Sequence, residues 1–142
     1  MSLYLDTSAL LPYYRQEAHT DAVQRFLSRQ REPIAISALT RVELASTLAR
    51  WVRTGELDER SANRVESAFE EDVAARRFRL RALDADTYDR AARWLLARRT
   101  SLRTLDALHL ACAEAAGAAL VTLDVAFARA ADHLGVATVQ LG

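Results

Sequence analysis

The stretch LYLDTSALL at residues 3–11 decides how the rest of the chain is read. A short apolar run, Leu3–Leu5, has the length and composition of a buried strand, and it stops at a single acid, Asp6, where helix-forming residues take over. An aspartate adds nothing to an apolar core. It either starts the helix or holds something.

The same unit recurs along the chain. Strands are expected at Leu3–Leu5, Ile34–Ile36, Phe78–Arg81, Ala119–Thr122 and Thr138–Leu141, with helical periodicity between them. Ala22, Val23, Phe26 and Leu27 recur at helical spacing. So do Val42, Ala45, Leu48, Ala49 and Val52; Val65, Ala68, Phe69 and Val73; and Tyr88, Ala91, Ala92, Leu95 and Leu96. Gly55, Gly117 and Gly135 stand where helices should end. Pro12, about one turn into the first helix, should keep it short or bent. Short apolar strands alternating with helices imply right-handed crossovers and a mostly parallel sheet covered on both faces. The expectation is one α/β domain over residues 1–142.

Composition narrows the partners and the compartment. The 142 residues are 51% hydrophobic, too apolar for a disordered chain, yet no run reaches the roughly 20 residues of a membrane span. One cysteine, Cys112, permits no internal disulfide and suits a reducing cytoplasm. No basic leader with an apolar stretch and a cleavage site precedes Leu3, so secretion is not expected. Net charge is zero, so bulk charge gives no sign of nucleic-acid binding. All 19 basic residues are arginine, which reads as phosphate recognition or as codon bias toward arginine.

Four acids stand at the strand-to-helix junctions: Asp6, Glu43, Asp106 and Asp124. Each has an ordinary explanation. Thr7 or Ser8 could cap the first helix and leave Asp6 as a turn residue; Thr40 and Glu43 fit a capping box. Asp106 could complement a helix dipole behind a Thr104 cap, and Asp124 could itself be a cap. Together, however, they fall on the carboxyl edge of a parallel sheet, where open α/β sheets bind ligands. Two carboxylates about 4 Å apart repel by roughly 4 kcal/mol at an effective dielectric of 20. A convergent set would take up protons or a cation. No zinc-type His/Cys spacing is present, so oxygen donors point to Mg²⁺ or Mn²⁺ and to hydrolysis of a phosphoester.

At these residues the chain resembles PIN-domain nucleases, specifically VapC-type toxins of bacterial toxin–antitoxin pairs. The resemblance is carried by YLDTSALL, ISALTRVELASTLAR, LRTLDALHLACAEAAG and LVTLDVAFARAADHLGV, in that order. It implies a PIN-like fold, a five-stranded mostly parallel sheet sandwiched by helices, and an Mg²⁺- or Mn²⁺-dependent endoribonuclease. It also implies that Asp6, Glu43, Asp106 and Asp124 are the metal site, with Ser8 and Thr122 as auxiliary residues. An antitoxin and a second copy of the chain are the implied partners, beside the RNA substrate.

Other residues are weighed against plainer roles. Arg103, with Arg98 and Arg99, could meet RNA phosphates at the rim or simply solvate a helix end. His109 is expected as a packed, hydrogen-bonded histidine, Cys112 as a small buried hydrophobe, and Trp51 and Trp94 as packing or interface residues. A housekeeping PIN nuclease and a non-catalytic RNA- or protein-binding module remain alternatives. A phosphatase with an aspartyl nucleophile needs a second aspartate where Ser8 stands.

Overall fold

The computed structural model describes residues 2–142. Five strands, β1 (Leu3–Leu5), β2 (Ile34–Ser37), β3 (Phe78–Arg81), β4 (Ala119–Thr122) and β5 (Thr138–Gln140), form one parallel sheet in the order β3-β2-β1-β4-β5. Seven helices connect them: α1 (Thr7–Tyr14), α2 (Thr20–Ser28), α3 (Ala38–Arg53), α4 (Glu59–Ala74), α5 (Ala85–Ala97), α6 (Thr104–Ala115) and α7 (Val125–His133). No helix among the described residues is long and apolar enough to cross a membrane.

The period-2 alternation of the strands sorts the core into two layers. Leu3, Leu5, Ile34, Ile36 and Val121 face one side, against Leu10, Val23, Leu27, Leu44, Leu48, Val65 and Phe69 of α1–α4. Tyr4, Ala35 and Leu120 face the other, against Ala91, Leu108, Leu110, Ala111 and Phe127 of α5–α7. Both faces are therefore covered, which is why these strands read as continuous apolar runs.

Pro12 lies inside α1, which ends after eight residues at Tyr14. Gly117 and Gly135 follow α6 and α7 with φ of 63° and 79°, the left-handed conformation that glycine adopts without a Cβ clash.

Three helical faces differ from the sequence expectation. In α3, Val42 is 66% exposed while Leu44 is buried. Tyr88 and Leu96 of α5 are exposed, and α5 is anchored through Thr87 and Ala91 instead. Leu105, beside Asp106 in the first turn of α6, is also exposed, though an apolar residue there would be expected to pack. Helical spacing defines a stripe but leaves its phase against the sheet to tertiary packing.

Chain direction reverses at β1. From β1 the strands run out through β2 to β3, and then return to its other side at β4. The carboxyl ends of β1 and β4 flank that switch point, where neighbouring crossovers part and leave a crevice.

Candidate active site

Asp6 follows β1 at this crevice. Its backbone N–H donates to the Val121 carbonyl at 2.9 Å, and its own carbonyl accepts from Ala9 and Leu10. Asp6 thus occupies the N-cap position of α1, a role the sequence reading gave to Thr7 or Ser8, but its side chain caps nothing. Oδ2 accepts instead from the Ser8 hydroxyl at 2.6 Å and the Thr122 hydroxyl at 2.9 Å. The residue is only 6% exposed. The Thr122 hydroxyl also accepts from the Asp124 N–H at 3.0 Å, so one side chain ties the first acid to the fourth across the switch point.

Asp124 is the N-cap of α7, with Oδ1 accepting from the Phe127 N–H at 3.1 Å. Asp106 lies in the first turn of α6, and its Oδ2 reaches back to the Arg103 N–H at 3.4 Å. Arg103, not Thr104, occupies the N-cap position. Burial pushes the Asp106 carboxyl above the usual carboxylate range, and the charges of Asp6 and Asp124 add to the push against the lowering effect of Arg103. Three aspartates from α1, α6 and α7 therefore share one electrostatic field.

Glu43 comes from α3 and is not part of a capping box. That box is formed by Ser37 and Thr40. Its Oε1 accepts from the Thr7 hydroxyl at 2.7 Å and bonds His109 Nε2. Burial pushes its carboxyl up, but the bonds from His109 and Thr7 outweigh that and hold it below its ordinary value. His109 is 1% exposed, and its Nδ1 sits 2.6 Å from the Tyr4 hydroxyl, which lies 2.9 Å from Ser37 Oγ.

This buried line of Ser37, Tyr4 and His109 is the part of the site that the sequence did not reveal. Histidine on an apolar helix face was read as packed and hydrogen-bonded, which it is. Its partners lie 105 and 66 residues away, so local spacing carries no sign of them.

The four carboxylates have one property in common. Each commits one oxygen to a donor: Asp6 Oδ2, Glu43 Oε1, Asp106 Oδ2 and Asp124 Oδ1. The other oxygen of each meets no donor among the described residues. No buried side-chain oxygen or nitrogen among them lacks a hydrogen-bond partner, so these bare oxygens reach solvent.

Among the described residues, no three His, Cys, Asp or Glu side chains are gathered closely enough to cage a metal ion. The donor chemistry nonetheless fits a hard divalent cation, since every free ligand atom is a carboxylate oxygen.

A parallel sheet of order 3-2-1-4-5 with helices on both faces defines an α/β domain, and acids stand at its switch point. Residues 3–133 match the family model described as PIN domain. The chain is 33% identical over 141 residues to Ribonuclease VapC46 of Mycobacterium tuberculosis, covering 97% of this chain and 96% of that protein. It belongs to the PIN domain family, among its VapC-type ribonucleases. Similar folds include the Mycobacterium tuberculosis VapC20 structure, described as a sarcin-ricin loop cleaving toxin. It has a TM-score of 0.72 at 19% identity, with 98% and 99% of the two chains covered. A toxin-antitoxin complex from Klebsiella pneumoniae aligns with a TM-score of 0.64 at 20% identity, over 89% and 91% of the chains.

Proposed function

We propose that this chain is a divalent-metal-dependent endoribonuclease, working in the cytoplasm as one PIN-like domain and as the toxin of a toxin–antitoxin pair. The observation that carries the reading is the four carboxylates at the switch point, each with one oxygen anchored and one bare. Asp6, Glu43, Asp106 and Asp124 would hold Mg²⁺ or Mn²⁺ there. When bound, the ion supplies an activated water and offsets charge building on the phosphate.

The protein's own part is to hold the donors still. Ser8 and Thr122 fix Asp6, Thr7 and His109 fix Glu43, and Thr122 couples Asp6 to the backbone of Asp124. No side chain is needed as a nucleophile, because the attacking group is water.

Three surface features support the substrate and partners. A cavity of about 280 Å³ is lined by Arg99, Thr100, Ser101, Arg129 and His133 and by no carboxylate. It lies between the segment leading into α6 and the side of α7, the helices that carry Asp106 and Asp124. Guanidinium groups and hydroxyls without a competing acid suit RNA phosphates, and Arg103 stands at the α6 entry.

The exposed residues Val42, Leu105 and Val125 each adjoin a candidate acid in sequence. Exposed apolar residues next to the acids in sequence suit a protein that covers this region, as an antitoxin would. Tyr88, Ala92 and Leu96 form a second exposed stripe on α5, which suits a homodimer contact.

The test is 5′-end mapping of cellular RNA incubated with the purified chain in Mn²⁺ or EDTA, with Asp6→Asn in parallel. New ends that require both metal and Asp6 are expected. Identical ends from the Asp6→Asn protein would overturn the reading.

A further inference from the structure

The Ser37–Tyr4–His109 line ends on Glu43, with the Thr7 hydroxyl also 3.5 Å from His109 Nε2. His109 leaves α6 on its sheet-facing side and lies over Tyr4 of β1, with ring centroids 5.7 Å apart. Tyr4 and Ser37 are fully buried, and His109 nearly so.

The direction of donation follows from the two ends. Glu43 Oε1, as a carboxylate oxygen, can only accept, so the proton on the His109 ring that meets it is on Nε2. Nδ1 is then free to accept from the Tyr4 O–H at 2.6 Å. The Tyr4 hydroxyl also lies 2.9 Å from Ser37 Oγ, to which it can donate, and Ser37 Oγ accepts from the Leu39 N–H at 3.2 Å. With one proton on the ring, that proton sits on Nε2, because Glu43 can only accept there.

Thr7 donates to the same Glu43 oxygen and is the neighbour of Asp6. Glu43 Oε1 is therefore gripped from α1 and from α6 at once. Oε2 is left over, in a side chain that is 24% exposed.

We propose that Tyr4 and His109 are positioning residues that hold Glu43 by Oε1 so that Oε2 is presented to the crevice. This rests on the reading of the four acids as a cation site. Histidine here is not a ligand and touches no substrate. It acts on the site from within the core, as outer partners of metal-binding carboxylates do.

The test uses metal-stripped full-length protein with three variants. Tyr4→Phe keeps the core volume and cuts the middle link. His109→Gln keeps an N–H for Glu43, and His109→Leu removes both contacts. Nitrogen NMR of the His109 ring, without metal, reads the tautomer; calorimetric titration with Mn²⁺ reads the site.

Wild type should show the Nε2–H tautomer with an Nδ1 signal shifted by its hydrogen bond, and Tyr4→Phe should keep the tautomer and lose that Nδ1 shift. Mn²⁺ affinity should fall about 10–100-fold in His109→Leu, less in Tyr4→Phe, and recover much of the loss in His109→Gln. Unchanged Mn²⁺ affinity in all three, with only the melting temperature lowered, would overturn the proposal and leave the line as core structure.

If the wild-type protein itself takes up no Mn²⁺, the cation reading falls, and the ring spectrum then judges the positioning alone. An Nε2–H tautomer whose Nδ1 shift depends on Tyr4 upholds it, and an averaged tautomer overturns it.

Discussion

Asp6 and Asp84 occupy the same position in two helices and live in different worlds. Asp84, at the start of α5, has the ordinary arrangement: its Oδ1 accepts from the Thr87 N–H at 2.9 Å and the Thr87 hydroxyl at 2.8 Å, and it lies in the solvent. Asp58 does the same for α4 through the Ser61 N–H at 2.7 Å. Asp6 has cap backbone geometry but no cap bond, is nearly buried, and takes both of its donors from hydroxyl side chains. An aspartate that only starts a helix has no need of burial. Burying one near Asp106 and Asp124 adds to the push that Asp106's own burial already puts on its carboxyl, a cost that capping does not explain.

The largest difference between the two aspartates should be in cleavage. Asp6→Asn is nearly isosteric and should lower RNA cleavage by about 10²–10³-fold or more, the scale on which one preorganised electrostatic contact counts. Asp84→Asn keeps an N-cap acceptor and should leave the rate unchanged. Initial rates on one RNA with saturating Mn²⁺ measure both. Equal losses, or none in either, would erase the distinction between crevice and cap.

Next in size is the response to metal. A ligand that binds only the folded state at 100 times its Kd adds about 2.7 kcal/mol of stability. Thermal unfolding with and without Mn²⁺ should show a clear rise in wild type and in Asp84→Asn. The rise should shrink in Asp6→Asn and Asp106→Asn and vanish with EDTA. A rise of equal size in Asp106→Asn would place the cation elsewhere.

How much of this contrast could be read from the sequence differs between its two halves. The central strands β1, β2 and β4 were legible because each is a short apolar run buried on both faces, and Asp6, Asp106 and Asp124 because each closes a run or stands at a helix start. The inner contacts were not. Val42 and Leu44 are two residues apart on α3 and both apolar, and only the sheet decides that Leu44 goes in and Val42 stays out. Thr40 and Glu43 fit a capping box by spacing, yet Ser37 took the cap and released Glu43 to reach α6. That Asp6 is gripped by Thr122, 116 residues away, was available only through the family resemblance, since nothing local to either residue pairs them.

A smaller effect is expected on stability without metal. Asp106 has its folded pKa raised by burial and by Asp6 and Asp124, so its charge opposes folding at neutral pH. Asp106→Asn should therefore make the metal-free protein more stable, not less, as judged by urea unfolding at pH 7. A loss of stability would mean that its bond to the Arg103 N–H outweighs the field, and that Asp106 is mainly a cap.

The smallest effect separates the two kinds of acid by pH alone. For Asp106 the folded value lies above the unfolded one, near 3.9. The native state then binds more protons between the two, and stability recovers as pH falls through the raised value. For Asp58 and Asp84, held low by the Ser61 and Thr87 N–H groups, the signs reverse. Their contribution is fully present above the unfolded value and is lost as pH falls through the depressed one. The two windows lie on opposite sides of the ordinary aspartate value. In metal-free protein, the difference between wild type and Asp106→Asn should therefore close while pH is still above about 3.9. The difference between wild type and Asp84→Asn should hold until below it. If both differences move in the same window, the crevice acids are caps like the others, and burial at the switch point has no electrostatic consequence.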